Sequence, residues 1–156
     1  MKFKQQLLQM FELSDEQADL IISRFVPEEL SKNELFLEGG KACKKLSFIE
    51  EGICRVFKWT DSKEVTQWIG GEGYFITDLA SFFFDNPANW SIEALTPTKL
   101  WTLNKSDYLD IQQSIPNWNV IEKRFIAKCF MQIEHRVFDF IALSAEVRYL
   151  KFFVQN

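Results

Sequence analysis

Residues 35–103 carry short runs of β-branched and aromatic residues cut by Gly, Asp and Ser, and the pattern breaks once, at Thr77-Asp78-Leu79-Ala80-Ser81-Phe82-Phe83-Phe84. Runs 46–49, 52–59 and 65–69 read as hairpin strands, and 90–95 and 99–103 supply two more, split by Thr96-Pro97. So many short antiparallel strands curl into a barrel or jelly roll. The break reads as a short helical segment set into the sheet, and a long helix begins near Pro116. A β-domain with such an insertion, leading into a long helix, builds a pocket. The expected fold class is α+β: an antiparallel β-roll with N-terminal helices and a long C-terminal helix.

The flanks are helical by period. Residues 4–12 form a short amphipathic helix, and Ser14-Asp15-Glu16-Gln17 has the Ser-x-x-Gln form of a capping box for a second, predicted to run to about Phe25 and end at Val26-Pro27. On the long helix, at about 100° per residue, Arg124, Lys128, Gln132, His135 and Asp139 share one polar stripe. Trp118, Phe125, Ile126, Cys129, Phe130, Ile133, Val137, Phe140 and Ile141 fill a wide apolar arc, which Met131 and Phe138 extend. One contact with its own roll covers a stripe of about 100°, so the surplus predicts a second partner. A two-fold pair of these helices is the simplest, with Phe125, Ile126, Phe130, Ile133, Val137 and Phe140 as its face. Burial in a larger core is the alternative.

Composition excludes several classes. The chain has 156 residues, with 18 Lys and Arg against 22 Asp and Glu, a net charge of −4, and no basic cluster that could neutralise a row of phosphates. This chain therefore offers no DNA-binding surface of its own. No apolar run approaches the roughly 18 residues of a membrane span, and Met1-Lys2-Phe3-Lys4 lacks the pattern of a secretory leader, so a cytoplasmic protein is expected. Cys43, Cys54 and Cys129 are scattered and sit in apolar surroundings, as structural thiols do. His135 is the sole histidine, which leaves no metal or haem site, no cofactor and no cupin-like enzyme. Gly70-Gly71-Glu72-Gly73 lacks the Gly-Lys-Ser/Thr ending of a phosphate loop and reads as a turn.

The run Leu46-x-Phe48-Ile49-x-x-Gly52-x-x-Arg55-Val56-Phe57, the Gly73-Tyr74-Phe75-Ile76 turn, Ile92-Glu93-Ala94-Leu95 and Ser144-Ala145-Glu146-Val147-Arg148-Tyr149-Leu150 follow one another in an order that resembles the Crp/Fnr family of bacterial transcription regulators. The resemblance implies a cyclic-nucleotide-binding type of roll over residues 1–115, a dimerisation helix over 116–143, and at 144–156 the start of a truncated or absent winged helix-turn-helix domain that would read DNA.

The same resemblance places an effector site at Thr77, Asp78, Leu79, Ala80, Ala88 and Asn89, with Cys129, Ile133 and Glu134 facing it from the helix. The family cassette reads Gly-Glu-Leu-Ala/Gly and, some ten residues later, Arg-Ser/Thr. Here Asp78 takes the place of the ribose-binding Glu, and Ala88 that of the phosphate-binding Arg. A guanidinium donates two charge-assisted hydrogen bonds to a phosphate, and Ala88 donates none. The amide of Asn89 is a weak substitute, while backbone amides opening the Leu79 segment remain available for an anion. These residues imply the effector-sensing and dimerisation part of a regulator that does not respond to cyclic AMP. An unidentified apolar or uncharged small effector, or no ligand at all, is expected, and the partners are a second copy and, through a further domain, DNA. A stand-alone small-molecule-binding or dimerisation module is the alternative.

Overall fold

The computed structural model describes the backbone of residues 2–155 and the side chains of 3–8 and 11–151. Two helices, α1 (Lys2–Phe11) and α2 (Asp15–Ile22), precede the strands. The predicted capping box is formed: the Gln17 amide donates to Ser14 Oγ at 3.2 Å, and the Ser14 amide donates to Gln17 Oε1 at 3.0 Å. The strands are β1 (Val26–Leu30), β2 (Leu35–Leu37), β3 (Lys45–Glu51), β4 (Cys54–Trp59), β5 (Glu64–Gly70) and β6 (Phe75–Ile76). The inserted helix α3 (Leu79–Phe84) follows, then β7 (Ser91–Ala94), β8 (Thr98–Asn104), α4 (Lys105–Ser114), the long α5 (Trp118–Ala142) and α6 (Ala145–Gln155). All pairing is antiparallel, in two four-stranded sheets of order β1-β8-β3-β6 and β2-β7-β4-β5. This is the expected β-roll with N-terminal helices and a long C-terminal helix.

Three expectations are corrected. First, Val26-Pro27 opens an edge strand instead of closing a helix, and α2 stops at Ile22; a proline is tolerated there because an edge strand need not use every amide. Second, β3 and β4 form no hairpin, since β3 pairs with β8 and β6 while β4 pairs with β5 and β7. Gly52, at φ +101°, turns the chain from one sheet to the other, and a Cβ there would lie 2.5 Å from Thr98 Oγ1 and 2.7 Å from the Pro97 carbonyl. Only glycine fits this crossing. Third, α4 stands where no helix is expected; its buried Tyr108 and Ile111, with Ile115 just past its end, recur at helical spacing.

The core lies in two layers. Between the sheets, Leu30, Phe36, Ile49, Cys54, Ile76, Ile92 and Leu100 fill the roll. On the outer face of β1-β8-β3-β6, Phe48, Leu46 and Leu103 meet Phe3, Leu7 and Phe11 of α1 and Ile121 of α5. Period-two alternation explains the split: Leu46 and Phe48 point to the helices, Ser47 and Ile49 into the roll. The buried hydroxyls of Ser47 and Thr102 bond each other at 2.7 Å, and Thr102 donates to Glu28 at 2.6 Å, so neither is left unpaired.

Phe3 is fully buried and its ring lies 4.5 Å from Phe48, 4.9 Å from Phe25 and 6.4 Å from Phe75 and Trp101. Phe3→Ala is expected to lower the unfolding free energy by about 3–5 kcal/mol. Urea denaturation checks this, and an unchanged midpoint would show that α1 is not held by this ring.

Candidate functional site

The inserted helix is tied down by its own residues. Asp78 is the N-cap of α3, only 6% exposed, and both carboxylate oxygens are engaged: Oδ1 accepts from the Ser81 amide at 3.0 Å and Oδ2 from the Asn89 amide at 2.8 Å. Ser81 Oγ accepts from the Cys43 amide at 2.8 Å and donates to the Asn86 carbonyl at 2.5 Å. Thr77 Oγ1 donates to the Lys45 carbonyl at 3.0 Å. Ala88 is buried in the roll core, its amide bonded to the Lys41 carbonyl and its carbonyl to the Gly40 amide, both at 2.8 Å.

Two of the backbone amides in the first turns of α3 are already engaged. The Ser81 amide is taken by the Asp78 side chain and the Phe82 amide by the Asp78 carbonyl. The Asp78 carboxylate thus caps the helix from within the loop. Leu79 is half-buried, and Ala80 and Asn89 are exposed. Phe82 is a core residue, stacked edge-on with Tyr108 at 5.2 Å, whereas Phe84 is exposed.

On α5 the apolar arc divides. Trp118, Ile121 and Phe125 face the roll and the N-terminal helices, with Phe125 5.4 Å from Phe75 and 5.9 Å from Phe11. Phe125 therefore packs within its own chain and does not join the exposed face on which it is expected. Ile126, Phe130, Ile133, Val137 and Phe140 remain exposed. Cys129 is half-buried, and burial pushes its thiol up to about 11, as it does for Cys54; both behave as inert structural thiols. Glu134 is exposed.

Two concavities flank this helix. A cavity of about 50 Å³ lies under its first turns, among Phe11, Phe25, Phe75, Trp118, Ile121 and Phe125. At its rim Tyr108 donates to the Glu122 carboxylate, whose pKa burial raises. The second is an open groove of about 940 Å³ between β5 and the distal half of α5, with Arg148 and Lys151 of α6 at one end. Of the residues expected at an effector site, only Ile133 lines it.

The groove also holds residues outside the expected effector site. The Arg136 guanidinium lies 5.3 Å from the centre of the Trp68 ring, and Trp68 meets Tyr74 edge-on at 5.3 Å. Arg136 is separated from Phe125 by eleven positions, which places it about 20° away on the helix and inside the roll-facing arc. A charge within an apolar arc was the available signal. Among the described residues no group of three or more His, Cys, Asp or Glu could hold a metal ion, and no helix is long and apolar enough to cross a membrane.

Comparison with known proteins places this geometry. Residues 27–114 match the family model of the cyclic nucleotide-binding domain. No curated protein matches the sequence. Among solved structures, the chain is similar to the catabolite activator protein of Thermus thermophilus, with a TM-score of 0.70 at 20% identity over 94% of this chain and 63% of that one. It is similar to the N-terminal domain of a transcriptional regulator from Streptomyces coelicolor A3(2), with a TM-score of 0.69 at 20% identity over 86% of this chain and 94% of that one. It also resembles the sensor domain of the transcriptional regulator DNR from Pseudomonas aeruginosa, with a TM-score of 0.64 at 22% identity over 92% and 99%. At these identities the likeness is one of fold, and the chain spans less than two thirds of the Thermus protein. The family match takes in more than half of the chain, from the edge strand through α4, and on that ground this protein belongs to the cyclic nucleotide-binding domain family.

Proposed function

We propose that this chain is the effector-sensing and dimerisation part of a Crp/Fnr-type transcription regulator. It acts by binding, not by catalysis: a small molecule held against the roll alters the pose of two paired α5 helices. The observation that carries this reading is the exposed apolar stripe along α5, of which Ile133, Val137 and Phe140 also border the groove beside β5. Ile126, Phe130, Ile133, Val137, Phe140 and Ile141 run along the stripe and are between 42% and 79% exposed in the single chain. A contiguous apolar stripe of this kind marks an interface, and a helix pairing with its own copy across a two-fold axis covers both stripes at once. In this reading residues 1–115 sense, 116–143 dimerise, and DNA contact falls to a separate winged helix-turn-helix domain. The net charge of −4 supports leaving the DNA outside this chain.

Cyclic AMP is not the effector in this reading. A cyclic phosphate gains most from a guanidinium, since hydrogen bonds to charged groups contribute about 1.5–3 kcal/mol each. Position 88 supplies a buried methyl group, and the neighbouring Asp78 is negative with both oxygens already accepting backbone amides. A phosphate there would meet repulsion without a compensating cation.

Light scattering on the purified chain is expected to give the mass of a dimer. Phe130→Glu and Val137→Glu are expected to give monomers with unchanged circular dichroism, because both side chains are exposed in the single chain. A monomeric wild type would remove the basis of the proposal. Titration calorimetry with cyclic AMP at physiological concentrations is expected to show no heat of binding; a saturable signal would mean that a cation outside the cassette replaces the missing arginine.

A further inference from the structure

The groove between β5 and α5 differs in charge from the rest of the molecule. The chain carries −4 overall, yet three cations, Arg136, Arg148 and Lys151, line the groove with one carboxylate, Asp139. Two of those cations are occupied. Arg148 donates to the carbonyls of Leu143 at 2.8 Å and Phe140 at 3.3 Å, closing the end of α5, and Lys151 pairs with Asp139 at 2.5 Å. Lys151 thereby holds the acid that stands one turn from Arg136. Among the described residues Arg136 makes no hydrogen bond or ion pair; its contact is with the Trp68 ring. Burial pulls its pKa below the ordinary arginine value, outweighing the opposite pull of nearby Tyr74 and Asp139.

The platform under Arg136 is built, not incidental. The Trp68 indole lies over Gly70, where a Cβ would stand 2.1 Å from Cη2, so only glycine lets the ring fold along the strand. Tyr74 then braces the indole edge-on. A guanidinium stacked on an aromatic face keeps its in-plane N–H donors free, and that fork matches a carboxylate or phosphate. The groove's volume of about 940 Å³ falls in the range of ligand pockets, about 300–1,000 Å³.

We infer that this groove is the effector site and that it takes a small anionic molecule with a planar apolar body, its acid group held by Arg136 and its body against Trp68 and Ile133. The inference rests on the sensor reading above and replaces its expectation of an uncharged effector. It moves recognition from the self-satisfied cassette to the wall formed by the helix. A ligand there touches both the roll and α5, so its binding energy depends on their relative pose.

Calorimetry with naphthoate and with neutral naphthalenemethanol tests the inference, with light scattering on the same samples. The wild type is expected to bind naphthoate at least tenfold more tightly than the alcohol, the loss expected for hydrogen bonds to a charged group. Arg136→Gln is expected to abolish that preference while leaving the alcohol's affinity and the thermal stability unchanged. Lys151→Met, which releases Asp139 to compete for Arg136, is expected to weaken naphthoate alone. Equal affinities in the wild type, absence of binding, or a preference that survives Arg136→Gln would overturn the inference while a dimeric wild type left the sensor reading standing. A monomeric wild type would overturn the sensor reading whatever naphthoate does.

Discussion

The sheet β1-β8-β3-β6 is covered on both faces, and the rest of the molecule follows from what covers it. Its inner side chains close the roll against the second sheet, while Leu46, Phe48 and Leu103 on the outer side would face water unless helices covered them. That outer surface is covered by Phe3, Leu7 and Phe11 from the N-terminus, by Tyr108 and Ile111 from α4 and by Ile121 from α5. Burial of each large side chain contributes about 1.5–3 kcal/mol, so the aromatic cluster holds the helices to the sheet from both ends of the chain. The first turns of α5 are therefore anchored, and its distal half projects past the roll with an apolar stripe and a groove beside it.

That division of α5 joins stability to function. Trp118, Ile121 and Phe125 anchor the start of the helix, and beyond Cys129 its contact with the roll is that of Arg136 with the Trp68 ring. A ligand in the groove and a second helix on the adjoining stripe would both act on the same distal segment, with Ile133, Val137 and Phe140 at the border of the two surfaces. Coupling between sensing and assembly then needs no long route through the roll, because one rigid element is shared.

The inserted loop is held by contacts from its own residues. Asp78 serves as an N-cap, binds the Asn89 amide and so joins the two ends of the inserted loop. Ala88 completes the packing of the roll interior. Both positions are held by the fold itself.

Much of this was legible in the residues. The strand runs, the Ser14 capping box, the Asp78 to Phe84 insertion and the two-sided burden of apolar residues on the long helix all follow from local period and turn chemistry, which act over a few residues. The sheet change at Gly52, the strand at Val26–Leu30 and the contact between Arg136 and Trp68 join residues far apart in the chain, and no local pattern encodes them. By itself, then, the sequence determined that a β-roll would form with a helix greasier than its own roll requires. Tertiary structure alone decided which part of that helix faces inward, that Asp78 is already engaged, and that Lys151 pairs with Asp139 while Arg136 lies over the Trp68 ring. Each of those outcomes depends on which groups meet in space, and geometry of that kind exists only once both sheets and both ends of the chain have come together.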